Sequence, residues 1–298
     1  MDPVGVGFVR DQRRGRPWGS RARLGDVGEE RDRGEPVGAS AAAVRRAVRV
    51  TYRERTSRLP GAVLWTTTTV PGAGPVLPDG CTDLLWSAGR LLVAGPDTGP
   101  QAQDGVAPAG TRWVGLRFAP GQGPAVFGVP AHELRDRRVP LEDLWGARRA
   151  RELAARAAAA ARAAAADAPG AVLEQAARDR LRAAGRWTDG ATTDVLPGRD
   201  GRTAAIASGL GRGRPVAEVA RLVGMGERQL HRHSLAVFGY GPKTLGRVLR
   251  LVRALELARA GVPYAEVAAR AGYADQAHLA REVKSLAGAP MGTLLRAG

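Results

Sequence analysis

The chain has 298 residues, enough for two ordinary domains with a hydrophobic core each. Its net charge of +16 and pI near 11.4 suggest a polyanionic partner, yet of its 45 basic residues only Lys243 and Lys284 are not arginine, a usage that GC-rich coding produces by itself. The single cysteine, Cys81, excludes a disulfide framework and a multi-cysteine zinc site, and no apolar run approaches the ~20 residues of a membrane helix.

Residues 1–48, rich in Gly, Arg, Asp and Glu, show no apolar period and cannot bury enough surface to offset their ordering entropy. They read as a disordered arm; translation from an over-extended start codon and a basic arm tracking phosphates are the alternatives. The arginines there lack the apolar core of a signal peptide, so a reducing, cytoplasmic location is expected.

Residues 49–185 read as a β-rich regulatory domain with C-terminal helices. Between Tyr52 and Ala119, "GAVLWTTTTV", "CTDLLWSAGRLLVAG" and "TRWVGLRFAP" are short β-branched, aromatic and leucine runs separated by Gly and Pro, as in strands joined by turns. From about Val129 the pattern becomes helical, through an alanine-dense tract that Pro169-Gly170 interrupts and "AVLEQAARDRLRAAG" resumes. Residues 186–200 are polar and turn-rich, the composition of a linker.

The last segment, 201–298, is helical throughout, with helices expected at about 201–210, 215–223, 226–238, 242–260, 263–271, 275–286 and 290–296. It contains a repeat: "PVAEVARLVGMGERQLHR" from Pro215 returns as "PYAEVAARAGYADQAHLAR" from Pro263, with one extra residue after the glycine, so that Leu230 corresponds to Leu279. Each copy has the parts of a helix-turn-helix: a small residue (Ala220, Ala268), a glycine four positions on for the turn (Gly224, Gly272), and an inner apolar set (Val219, Val223 and Met225; Val267, Ala271 and Tyr273). An acid follows each turn, Glu227 or Asp275, suited to the positive end of a helix. The helix after it places Arg228, Gln229, His231 and Arg232 outward in one copy and Gln276, His278, Arg281 and Lys284 in the other, side chains that reach base edges and phosphates from a major groove. Arginines on a helix face are usually only solvated, but here the pattern occurs twice at a fixed offset, and the segment holds 15 basic residues against 6 acidic. The fold class is therefore α+β: a small β-rich N-terminal domain with appended helices, then an all-α C-terminal domain with two helix-turn-helix units joined by a linker helix.

At these residues the chain resembles the AraC/XylS family of bacterial transcription regulators. "GYADQAHLAREVKSLAG" is similar to that family's second helix-turn-helix, G-[YF]-x-D-x-x-H-[LF]-x-R-x-[FV]-[KR]-x-x-x-G, at Gly272, Tyr273, Asp275, His278, Leu279, Arg281, Val283, Lys284 and Gly288. "ERQLHRHSLAVFGYGPKTLGRVLRLVRAL" resembles the first recognition helix and the connecting helix, through Gln229, Leu230, Arg232, Phe238, Gly239, Pro242 and Lys243. A weaker resemblance over 51–145 is to the uncharacterised N-terminal domain of certain actinobacterial AraC-type regulators. The family usually begins its last helix at a proline where Met291 stands here; Pro290 precedes it, so that helix is expected to start one residue early. His233 and Ser234 stand where bulkier or cationic residues are common, so the first recognition helix is expected to pack or read DNA differently.

The resemblance implies two recognition helices reading adjacent major-groove segments of double-stranded DNA, ~34 Å apart, with the 242–260 helix setting the interval. Arg228, Gln229, Arg232, Gln276 and His278 are the candidates for bases, and Lys243, Arg281 and Lys284 for phosphates; His278 has helix capping as its alternative. Glu227, His231 and Asp275 complete the candidate interface. The same resemblance admits RNA polymerase, a small-molecule effector and a second copy of the chain as partners, and calls for no cofactor or metal. Trp65, Trp86 and Trp113 with Asp79, Cys81 and Asp83 form a candidate effector pocket; the alternative is that the tryptophans are core and "LPDGC" a turn entering a strand. An enzyme using a Cys81–His132 pair and a non-specific architectural protein are the competing functions.

Overall fold

The computed structural model describes residues 52–70, 73–102, 107–163, 168–184 and 201–296. The arm expected over 1–48 and the linker over 186–200 lie outside the described residues.

The short apolar runs build one antiparallel sheet of β1 (Arg53–Thr56), β2 (Ala62–Thr68), β3 (Thr82–Ser87), β4 (Arg90–Ala94), β5 (Arg112–Phe118) and β6 (Arg138–Pro140), in the order β1-β2-β5-β3-β4-β6. β3 and β4 form a hairpin through Ala88 and Gly89, both at positive φ (45° and 79°), as a two-residue turn needs in order to match strand twist. Side chains then sort with a period of two. Leu64, Leu84, Trp86, Val93, Leu116 and Phe118 lie on one face. Four helices pack there, α1 (Gly123–Phe127), α2 (Leu141–Trp145), α3 (Ala147–Arg162) and α4 (Ala168–Ala183), contributing Phe127, Leu141, Leu153 and Leu173 among others. α4 reaches the sheet because Gly170 has no side chain; a Cβ there would run into Leu64. Arg55 on β1 ties the same helix down, donating to both oxygens of Glu174 at 3.0 and 3.1 Å. Burial alone would raise the Glu174 pKa, but Arg55, Ser57 and the Arg58 N–H outweigh it and hold the carboxyl below its ordinary value.

Two expectations are corrected here. The stretch beyond Val129 is not purely helical: β6 adds an edge strand at Arg138–Pro140, too short to show a period, while α1 already begins at Gly123. Pro169-Gly170 does not break the helix; the pair sits in the first turn of α4, where a missing N–H costs nothing.

The C-terminal half consists of α5 (Gly201–Gly211), α6 (Val216–Leu222), α7 (Glu227–Phe238), α8 (Pro242–Arg259), α9 (Tyr264–Arg270), α10 (Gln276–Ala287) and α11 (Met291–Arg296), all within a residue or two of expectation. α11 starts at Met291 rather than early: Pro290 remains outside it, and its carbonyl accepts from the N–H groups of Thr293 and Leu294. α8 serves two cores. Leu245, Val248 and Leu249 join Ile206, Val219, Leu230 and Phe238, whereas Leu251, Ala254, Leu255 and Ala258 join Val267, Leu279, Val283 and Met291. Leu77, from the loop between β2 and β3, enters the second of these cores.

Candidate nucleic-acid interface

The two copies of the motif make the same turn. In the first, the Val223 N–H donates to Val219 O, Gly224 to Arg221 O and Met225 to Ala220 O; in the second, Ala271 donates to Val267 O, Gly272 to Ala269 O and Tyr273 to Ala268 O. Gly224 and Gly272 hold φ of 66° and 78°, the left-handed region that disfavours any residue with a Cβ. Val219, Ala220, Val223 and Met225, and Val267, Ala268, Ala271 and Tyr273, are all buried. The small residue, turn glycine and inner apolar set expected from the sequence are realised in both copies.

The helices that follow expose their polar ridges. Glu227, Arg228, Gln229, His231 and Arg232 are exposed on α7, Lys243 on the first turn of α8, and Gln276, Arg281 and Lys284 on α10. No hydrogen bond or ion pair among the described residues holds Arg228, Arg232, Lys243, Arg281 or Lys284. Some cations elsewhere on these units are engaged: Arg214 pairs with Glu218 and Arg270 with Glu266, each at 3.1 Å. Ser234 is buried on the inner side of α7.

Asp275 and His278 are placed by capping. Asp275 is the N-cap of α10 and accepts from the His278 N–H at 2.6 Å, while His278 Nδ1 accepts from the Ala274 N–H at 3.2 Å. The imidazole stands edge-on to Tyr273, centroids 5.4 Å apart. Copy one has Gly226 at the corresponding N-cap, so Glu227 is the counterpart of Gln276 rather than of Asp275.

Sequence reasoning missed what fixes α10. Arg247 of α8 donates to Glu282 at 2.7 and 3.2 Å and to Ser285 Oγ at 3.2 Å. Arg250 donates to Gly272 O at 3.0 Å and lies over the Tyr273 ring, 5.1 Å from its centroid, and Arg253 donates to Arg270 O at 2.8 Å. The spacing of three along α8 was the available signal, since it puts these arginines on one side of a helix. The Arg247 hydrogen bond holds the Glu282 pKa below the ordinary range despite partial burial, and burial pushes the Tyr273 phenol up to about 12, with Arg250 opposing.

The sheet face away from the helices carries the other candidate residues. Trp65 donates through Nε1 to Asp83 Oδ1 at 2.7 Å, and its indole lies across Gly115, where a Cβ would collide with it. Arg117 is 1% exposed, with Nε 3.4 Å from Asp83 and 3.8 Å from Asp79. Burial lowers the Arg117 pKa, but Asp83, Tyr52, Asp79 and Cys81 more than reverse this and keep the guanidinium charged. Asp79 Oδ1 accepts from the Cys81 N–H at 2.9 Å. Trp113 lies on this face too, half-buried and donating to Thr69 Oγ1 at 2.9 Å, whereas Trp86 projects to the opposite face among the helices. Five of the six proposed pocket residues therefore lie on or beside one face, joined by an arginine that the sequence shows as the lone cation in "WVGLRF". Cys81 is buried with Sγ 3.9 Å from Asp79 O, and His132 Nδ1 lies 3.3 Å from Leu235 O in the other half. Among the described residues no cluster of three His, Cys, Asp or Glu is placed to hold a metal, and no helix is long and apolar enough to cross a membrane.

Residues 219–297 match the model of a helix-turn-helix domain family, and residues 62–140 that of a domain of unknown function, DUF6597. No curated protein matches the sequence. Solved structures similar to the chain include an apo single-substitution form of ToxT from Vibrio cholerae strain SCE256, 12% identical over 81% of this chain and 98% of that one with a TM-score of 0.40. Wild-type ToxT of the same strain with unsaturated fatty acid bound is 11% identical over 77% and 90%, with a TM-score of 0.38. The helix-turn-helix match falls on the stretch where both glycine turns and both cationic ridges lie, and the chain is a DNA-binding transcription regulator with an AraC-type helix-turn-helix domain behind a domain of unknown function.

Proposed function

We propose that the chain binds DNA sequence-specifically, with α7 and α10 reading adjacent major-groove segments, and that the N-terminal half senses a signal. One observation carries the reading: in both copies the second helix exposes cationic and amide side chains, Arg232 and Arg281 at the same position of the repeat, that nothing else in the described chain engages. Arg228, Gln229, Arg232 and Gln276 are the base-reading set, and Lys243, Arg281 and Lys284 hold phosphates. Asp275 and His278 fix the start of α10 from within. For the N-terminal half, the Trp65–Asp83–Arg117–Asp79 cluster with Trp113 offers an aromatic wall and fixed charges, the composition of a small-molecule effector site.

Selection of bound duplexes from a random pool tests the first part. A regulator enriches one sequence and binds it ~10³-fold or more above random DNA; an architectural protein enriches none, and that result would overturn the proposal. Lys284→Ala is expected to weaken binding to every duplex and lower the salt slope by about 1, whereas Arg228→Ala relaxes preference at one or two positions. Equal losses on selected and random DNA for Arg228→Ala would remove it from the reading set. A thermal-shift screen of the full-length protein against small molecules tests sensing, and shifts abolished by Trp65→Ala and Arg117→Met would locate it.

A further inference from the structure

α7 and α8 are joined by only Gly239, Tyr240 and Gly241. Two glycines around one residue make a joint that bends freely unless something holds it. The N-terminal half holds it. Pro96 Cγ sits 2.6 Å from where a Cβ on Gly239 would be, and the buried Tyr240 hydroxyl donates to Asp97 O at 2.6 Å. Arg135 donates to Gly239 O at 3.2 Å and His132 lies against Leu235 O, both at the negative end of α7.

Pro96 and Asp97 belong to the segment Gly95–Gln101, "GPDTGPQ", which leaves β4. Its far end touches the other unit: Pro100 Cγ lies 3.3 Å from the Cβ position of Gly288. Gly239 and Gly288 are the same position of the repeat, and each ends its recognition helix in the left-handed conformation, φ 82° and 74°. One segment thus abuts both helix ends. From Pro96 to Pro100 a chain spans at most ~14 Å, and this stretch is pinned along its length. Gly95 N–H donates to Arg137 O, Pro96 O accepts from Asp136, and Gln101 exchanges two backbone bonds with Val76. The Asp97 carboxylate takes a two-pronged bond from Arg138 at 2.8 and 2.7 Å, and Thr98 bonds Asp136 through both N–H and hydroxyl.

We propose that segment 95–101 gauges the separation of the two recognition helices, and so restricts the spacing between half-sites that the chain accepts on DNA; this rests on the two-segment reading above. Inserting one base pair between half-sites moves one of them by ~3.4 Å and turns it by ~35° about the duplex axis. Helices whose C-terminal ends both abut one pinned segment cannot follow that displacement. With the Gly239–Gly241 joint released, α7 can.

The test uses full-length protein and the site selected from a random pool, with versions carrying one base pair added or removed between its halves. Wild type, Tyr240→Phe and a Pro96→Gly, Pro100→Gly double variant are compared. Wild type is expected to bind the respaced sites about tenfold or more weakly. Both variants should narrow that ratio about threefold or more while keeping the same base preferences. A segment that only stabilises the fold would lower affinity for all sites alike and leave the ratio as it was. An unchanged ratio in Tyr240→Phe, which removes one oxygen and carries the test alone if the double variant does not fold, overturns the gauge and leaves the two-segment reading standing. A selected site with a single half, or no enrichment, overturns both.

Discussion

Gly224 and Gly272 have the same conformational duty but different surroundings. Nothing stands within 4 Å of a Cβ added at Gly224, whereas at Gly272 it would meet Arg212 O at 3.2 Å. Positive φ alone costs an alanine ~1–2 kcal/mol, so Gly224→Ala should lose about that much in chemical denaturation and Gly272→Ala measurably more. Asp275→Ala removes the side-chain cap of α10 and is expected to cost ~1 kcal/mol. Because copy one starts α7 from Gly226 with no side-chain cap, Gly226→Asp should gain stability there in the same assay. An Asp275→Ala variant as stable as wild type would show that the bond to the His278 N–H contributes nothing net.

α7 and α10 are each held by a neighbour, and by different means. Arg247, Arg250 and Arg253 of α8 clasp α10, the turn before it and the end of α9, and the Arg247–Glu282 ion pair has a definite pH dependence. Glu282 has a lowered folded pKa, so its contribution is fully present above the unfolded glutamate value of about 4.3 and is lost as pH falls through the lower folded value. Glu282 is 20% and Arg247 36% exposed, so the pair is worth ~0.5–1 kcal/mol. Glu282→Gln should be less stable than wild type by about that amount at neutral pH, and the two melting curves should converge in acid; a gap that persists there would deny the ion pair its role. How far such elements could be read beforehand follows from range. The α6–α7 and α9–α10 pairs were legible because their small residue, glycine and apolar positions all lie within a dozen residues. β1, "RERT", and β6, "RVP", were not: edge strands this short and polar carry no alternation, and they exist because β2 and β4 offer open hydrogen-bonding edges. The arginine clamp, the Arg117 cluster and the reach of segment 95–101 join residues from separate elements, which no local pattern encodes.

Side chains of the two halves meet at several places, and Leu77 is one that enters the other half's core. It leaves a loop of the sheet and is 5% exposed among Leu251, Leu255 and Tyr273. Truncating a buried leucine costs ~2–5 kcal/mol. Leu77→Ala should therefore lower the stability of the second helix-turn-helix core by about 2 kcal/mol although the change lies in the other half. Calorimetry of wild type is expected to show one coupled transition that splits or broadens in the variant. An unaltered endotherm would mean that the halves unfold independently.

α8 divides its leucines between two cores, with Leu249 on one side and Leu251 on the other. A chimera that transplants only α9–α11 from another regulator would therefore inherit half a foreign seam. Swapping one reading unit for another has to take its junction from inside the rod, at about Arg250, so that the donor brings its own last turns of α8 along with the helices they cover.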